Sequence, residues 1–455
     1  MLECGQISAR ELLDAHLERI EAVNPNLNAV VALNADVGRA RAAAVDEARA
    51  RGAALGPLAG LVTAHKDLTE TADFPTTFGS PLFATNQPKT DSLLVSRVKA
   101  AGAVAIGKTN TPEFGRGSHT FNPVYGITRN PYDLGRTAGG SSGGAAVALA
   151  TGMVAIADGS DMGGSLRNPA GWNNVVGFRA SAGVVPSVAP GPPWPRLGTE
   201  GAMGRTVDDL ALLLSVISAP HAADPLSAGL AGLDLTRPVT PIGRSLRVAW
   251  SPNLGDLPVE DDVRDALAGV PRVCGDLGWS VAEAQPDFSG ADEAFATLRG
   301  WMMAHGTAAA LGDRLLQMKE TIQLEAAAGS AVGAGEAYAA LAHLGVLWRR
   351  ATAFFEDFDL LLCPVSQVSP FLVETEYPTV VAGQPMSSYI EWMRSCCRIT
   401  MLGSPAASVA AGFTAAGMPT GVQLVGGPNA DALVLRAAKS FEQATGGHYA
   451  HPPDL

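Results

Sequence analysis

The sequence predicts an α/β protein. Segments with helical spacing alternate with short apolar runs of strand character, which is the pattern of a sheet covered by helices. The chain has 455 residues, 47% hydrophobic and 17% charged, enough apolar material for a large core. No internal repeat, low-complexity tract or linker separates two cores, so one domain is expected over 1–455.

The elements follow in order. Ser8-Ala-Arg-Glu11 is a capping box. Leu12, Leu13, Leu17, Ile20 and Val23 then recur at helical spacing. The stretch NPNLN (24–28) ends that helix, and a second spans about 35–52, stopping at Gly52. LAGLVTAHKDL (58–68) reads as a strand running into a loop. A helix over 92–102 and a strand over 103–109 come next. The apolar run after residue 142 gives a helix over about 143–152 and a strand over 153–159. Thr206 caps a helix to 218, and 221–230 is a polar connection. SLRVAWS (245–251) is a strand, and a helix opens at VEDDV. Residues 290–357 are Ala-rich and mostly helical, a cap-like region of about 285–350. FDLLLCPVS (358–366) is a buried strand, 405–412 and 421–426 form a hairpin, and a last helix ends at Gly446.

The net charge of −12 argues against nucleic acid or an anionic membrane as partner. No apolar run of spanning length is present. Five scattered cysteines, with no CxxC pair, fit a reducing compartment, and the start shows no signal-peptide pattern, so a cytoplasmic location is expected. The eight histidines form no metal motif, no cofactor is expected, and His448 and His451 read as exposed. Gly102-Ala-Val-Ala-Ile-Gly107-Lys108-Thr109 matches a phosphate-loop pattern, but its inner residues form an apolar strand and Asn-Thr-Pro follows. It reads as a helix-to-strand connection.

Two Gly/Ser stretches frame one buried segment: GGSSGG at 139–144 and DMGGSLRNPAG at 161–171. Gly163-Gly164 lets consecutive backbone N–H groups point one way, a nest for an anion. A serine beside such donors has what acyl transfer requires, a nucleophile and a stabilised oxyanion. The serine needs a base. Only six of the 32 basic residues are lysines, and Lys66, at the end of an apolar strand, suits the role if burial keeps it neutral.

Longer motifs join these. They are G-x-x-x-x-H-K-D-L at 60–68, GKTNTPEFG at 107–115, NPxxG at 122–126 and RNPYD at 129–133. GGSSGGAAVALATGMVAIADGSDMGGSLRNPAGWNNVVGFRAS follows at 139–181, then GAMGRTVDDLALLL at 201–214 and GMPTGVQLVG at 417–426. Together they resemble the amidase signature family over nearly the whole chain; 220–350 carries little of the likeness. The resemblance implies a large, twisted, mixed β-sheet with helices on both faces, its core at about 58–215 and 358–455. It also implies amide C–N hydrolysis through a Ser-cisSer-Lys triad and an acyl-enzyme. Lys66 matches the lysine, Ser141 the cis serine and Ser165 the nucleophile. The N–H groups of Met162, Gly163, Gly164 and Ser165 would form the oxyanion hole. Ser142, Asp161 and Arg167 would support them.

Gly115 and Gly117 are expected beside the substrate. Trp172, with Trp194, Trp301 and Trp392, would line an apolar pocket or simply pack the core. Three departures from the family pattern stand out: Trp172-Asn173-Asn174, Arg179-Ala180-Ser181 without a proline, and Ser160 where threonine is frequent. None is expected to touch the triad. The expected substrate is a neutral hydrophobic or aryl amide, with esters and carbamates sharing the same tetrahedral path and water as the second reactant. The expected assembly is a monomer or homodimer. Two alternatives remain: a glutamine-dependent amidotransferase subunit that generates ammonia, and a catalytically silent binding protein.

Overall fold

A computed structural model describes the chain except Glu3, Pro190, Pro195, Arg196, Gly229 and residues 231–237. One residue of the polar connection expected at 221–230, Gly229, therefore lies outside the described residues.

Among the described residues, eleven strands form one mixed sheet. In chain order they are β1 (Val30–Val31), β2 (Val62–Lys66), β3 (Val104–Thr109), β4 (Ile156–Asp161), β5 (Val176–Arg179) and β6 (Thr199–Gly204). Next come β7 (Arg247–Trp250), β8 (Ser280–Glu283), β9 (Leu360–Pro364), β10 (Ala406–Phe413) and β11 (Pro419–Val425). Their spatial order is β1-β3-β2-β4-β6-β5-β10-β11-β9-β7-β8. Strands β3, β2 and β4 are mutually parallel, and β6 runs antiparallel to both β4 and β5. The hairpin read from the sequence is β10–β11.

Each expected helix is present within a few residues of its expected bounds. The first spans Ala9–Leu27 with Ser8 and Glu11 as its capping box, and it closes on Asn28 in the left-handed conformation. Val207–Ile217 starts on Thr206, whose hydroxyl accepts from the Asp209 N–H. The strand expected at 153–159 begins later, at Ile156. The Gly102–Thr109 stretch is strand β3, with every residue from Val104 to Thr109 buried. The region 291–357 holds the helices Ala291–Met302, Glu320–Ser330 and Ala334–Asp357. His448 corrects an expectation: it is buried, its Nδ1 lying 3.0 Å from the Asn174 carbonyl, whereas His451 is exposed.

Helix Gly143–Ala150 is buried along its whole length, which only small and apolar side chains permit. A Cβ on Gly144 would lie 2.3 Å from the Asn110 backbone nitrogen, and one on Gly143 would lie 2.3 Å from Thr120 Oγ1. Room for close packing, not flexibility, is what Gly143 and Gly144 provide. This helix feeds β4, so the serines before it stand at the end of β2. That is the carboxyl end of adjacent parallel strands, where open α/β sheets place their ligands.

Gly144→Ala is expected to destabilise the fold by about 1–3 kcal/mol through overpacking, read from urea melts. Gly275→Ala, in a helix with nothing within 4 Å of the added methyl, is expected to be neutral or slightly stabilising.

Candidate active site

Lys66 is the last residue of β2 and is fully buried. Its Nζ lies 2.8 Å from Ser141 Oγ, 2.9 Å from Ser142 Oγ and 3.1 Å from Ser160 Oγ. An ammonium has three N–H donors, and three hydroxyls receive them here. Burial nevertheless disfavours the charge. It draws the Lys66 pKa down to about 7, against the partial opposition of Asp158 and Asp161. The Gly140–Ser141 peptide is cis. Ser118 Oγ donates to the Gly140 carbonyl and Thr120 Oγ1 to that of Gly139, fixing the loop that carries Ser141.

Ser160 was not expected near these residues. It stands one residue before the end of β4, the strand paired in parallel with β2, and so its hydroxyl reaches the Lys66 amine. The departure from the family pattern at 160 therefore does touch the lysine.

The second loop is organised by Asp161, also fully buried. Its carboxylate accepts from Arg167 Nη2 at 2.8 Å, Arg167 Nε at 3.0 Å, the Gly164 N–H at 3.0 Å and the Leu166 N–H at 3.1 Å. Arg179 Nη1 lies 3.4 Å away. Burial alone would raise this carboxyl. The two guanidiniums and the Gly164 N–H outweigh it and hold Asp161 well below the usual carboxylate range.

These bonds decide which N–H groups remain for an oxyanion. The Gly164 N–H is already donated to Asp161, so the expected set of four loses it. The other three follow from pinned carbonyls, because the C=O and N–H of a trans peptide point opposite ways. Arg179 Nη1 donates to the Asp161 carbonyl at 2.6 Å, Thr400 Oγ1 to that of Met162 at 2.7 Å, and the Asn168 N–H to that of Gly164 at 2.7 Å. The N–H groups of Met162, Gly163 and Ser165 are turned the other way. Gly164 has φ +109°, and a Cβ there would meet Cys396 at 2.7 Å, so glycine is required on both grounds.

The two loops meet directly: the Ser142 N–H donates to the Ser165 carbonyl at 3.2 Å. Ser141, Ser160, Met162 and Ser165 line one cavity of about 330 Å³. Leu68, Phe114, Val185 and Ala189 supply apolar wall, and Arg116 and Arg299 are among its remaining lining residues. Of the expected pocket residues, Gly115 lines this cavity and a Cβ there would lie 3.4 Å from Ser141 Oγ. Gly117 borders a separate small cleft with His119 and Lys319. Trp172 is in the core, stacked on Trp392 with ring centroids 5.5 Å apart, and both are 1% exposed. Trp194 is 61% exposed, and Trp301 packs against His305. None of these tryptophans lines the Ser165 cavity.

A buried polar layer lies behind Lys66. Asp158 Oδ1 is 2.7 Å from His65 Nδ1, and Asp158 Oδ2 accepts from Thr69 Oγ1 at 3.1 Å. Lys108 donates to the Thr69 carbonyl and, at 3.1 Å, to Thr76 Oγ1; burial draws its pKa down to about 8 despite Asp67 and Asp158. The sequence does carry a sign of this layer. His65, Lys66 and Asp67 are consecutive polar residues where the strand pattern calls for burial.

The family model described as Amidase matches residues 11–435. The chain belongs to the amidase family. Among its relatives, an acylamidase of Rhodococcus erythropolis is 34% identical over 96% of this chain and 92% of the relative. A glutamyl-tRNA(Gln) amidotransferase subunit of Moorella thermoacetica is 35% identical over 99% of this chain and 96% of the relative. A solved bacterial aryl acylamidase of the amidase signature family superposes with a TM-score of 0.92 at 29% identity, over 100% of this chain and 97% of that one. The amidase family chain is thus an α/β enzyme of C–N bond hydrolysis with the large mixed sheet that the resemblance implied.

Asp161→Ala is expected to cost about 3–5 kcal/mol of stability, because it leaves Arg167 and Arg179 buried without their shared carboxylate. Chemical denaturation measures it, and a loss below about 1 kcal/mol would show that the pair does not organise the loop.

Proposed function

We propose that this amidase cleaves carboxylic amides with Ser165 as nucleophile, Ser141 as proton relay and Lys66 as base. The observation that carries the reading is the buried Lys66 amine 2.8 Å from the hydroxyl of Ser141, which lines one cavity together with Ser165. Neutral Lys66 accepts the Ser141 proton while Ser141 accepts that of Ser165. The Ser165 Oγ bonds to the amide carbon and the C=O electron pair moves onto oxygen. The N–H groups of Met162, Gly163 and Ser165 receive that oxyanion. Collapse breaks the C–N bond, and the proton held by Lys66 returns through Ser141 to the departing amine. Water then takes the place of Ser165 at the same carbon and releases the acid. Ser142 and Ser160 hold the lysine, and Asp161 with Arg167 holds the donor loop.

Leu68, Phe114, Met162, Val185 and Ala189 give the cavity an apolar wall, which favours an aliphatic or aryl group beside the amide. The acylamidase relative supports a stand-alone amide hydrolase, while the amidotransferase relative supports ammonia release from glutamine. Purified protein alone, offered anilides, primary amides and glutamine, separates the two: anilide turnover exceeding glutamine turnover is the expected result.

The pH dependence follows from the lysine. Its neutral form is the active one and its pKa lies near 7, so kcat/KM is expected to be level above that value. Below it, kcat/KM should fall about tenfold per pH unit. A profile flat to pH 5 would rule out Lys66 as base. Ser165→Ala is expected to abolish both turnover and labelling by a fluorophosphonate, and retained turnover would remove Ser165 from its role.

A further inference from the structure

Beside Gly115, the chain places an arginine that the mechanism does not use. Arg116 lines the Ser165 cavity with a side chain 14% exposed. Its guanidinium reaches Glu325 Oε1 at 3.5 Å, too far for a strong hydrogen bond. Glu325 is already engaged. Its Oε1 is 2.7 Å from Arg299 Nε, and its Oε2 accepts from the Tyr389 hydroxyl at 2.5 Å. Arg299 in turn donates to Tyr389 at 2.8 Å. Two guanidiniums thus share one carboxylate at a nearly buried end of the cavity.

Among the described residues, no other carboxylate lies in contact with the Arg116 guanidinium. Asp161 serves Arg167 and Arg179, as described above. Lys319 donates to the Arg116 carbonyl at 2.7 Å and lies 3.5 Å from Glu376. Glu113 accepts from the Lys319 backbone N–H at 3.0 Å. Glu200 lines the cavity from β6 and has interactions of its own. Burial and the charge of Arg299 both disfavour the Arg116 cation, with Glu325 only partly opposing them. An arginine held in so dry a place with one distant partner is short of an anion. Planar, bidentate recognition of a carboxylate is what its five N–H donors suit best.

We propose that Arg116 binds a carboxylate borne by the substrate, so that the preferred amides carry an acid group away from the scissile bond, joined to it by an apolar spacer. The apolar wall contacts the spacer, and Arg116 takes the acid end. This rests on the reading of Ser165 as the reacting residue, since it places the amide there.

The test is calorimetric binding to the Ser165→Ala protein, which needs no turnover. Glutaranilic acid carries the carboxylate on the acyl side and 4-acetamidobenzoate on the amine side. Valeranilide and 4-acetamidotoluene are their neutral counterparts. At least one acid is expected to bind tenfold or more tighter than its neutral counterpart, about what one charge-assisted pair supplies. The acid that does so identifies the side. Adding Arg116→Gln should bring that ratio close to one, whereas Arg116→Lys, which keeps the charge, should retain part of it. Acids that bind no better than the neutral anilides would overturn the proposal, with no variant needed. So would an undiminished ratio in a folded Arg116→Gln protein. An acid preference in binding, alongside wild-type protein that neither hydrolyses any of the four amides nor labels at Ser165, would uphold Arg116 and overturn the catalytic reading instead.

Discussion

A buried carboxylate facing two buried guanidiniums holds this site together. Asp161 alone would be a costly charge in the core, and so would Arg167 or Arg179. Together they satisfy one another, and the geometry of the trio propagates outward. Arg167 reaches Thr400 Oγ1 at 3.1 Å and Gln423 Oε1 at 2.9 Å, which ties the loop after β4 to the helix Arg394–Met401 and to β11. Thr400 then pins the Met162 carbonyl, and Arg179 pins that of Asp161. Three N–H groups are aimed by bonds made to the far sides of their peptides. In the proposed mechanism such donors need not reorganise as charge develops, which is the property that makes a nest of this kind effective.

The lysine depends on the same frame. Strands β2 and β4 are parallel neighbours, so Lys66, Ser160 and Asp161 end side by side. The helix Gly143–Ala150 packs so closely that only glycine fits its first turn, and this brings Ser141 and Ser142 to the amine. A lysine in that position is surrounded by hydroxyls and not by carboxylates in contact. Hydroxyls can receive its protons but cannot offset the loss of water, so burial dominates and the amine sits near neutrality. A carboxylate in contact at the position of Ser160 would reverse that balance and keep the lysine charged.

Several readings were available from the residues because they are local. Capping boxes, helix-ending glycines and the alternation of helix and strand depend on neighbours in the chain, and the structure reproduces them. The Gly/Ser loops were legible for the same reason. What escaped was set by contacts between distant segments. Ser160 looked remote from Lys66 because the pairing of β2 with β4 is not written in either strand. Trp172 could be read as pocket wall or as core, and its partner Trp392, from beyond the helical region, decides for the core. His448 reads as part of a polar tail until Asn174, far upstream, accepts it.

The sequence by itself determined the α/β class and offered a candidate reactive set. A lysine closing an apolar strand, two serines between glycine pairs and a third serine after Gly-Gly stand in separate stretches of chain, and the resemblance to the amidase signature family is what joined them. Only the tertiary structure decided which backbone donors are free and which are already used, since that depends on where Asp161, Arg179 and Thr400 send their bonds. It also decided which charges meet beside the cavity. Arg116, Arg299, Glu325 and Tyr389 come from four separate segments, and only folding brings two guanidiniums to one nearly buried carboxylate.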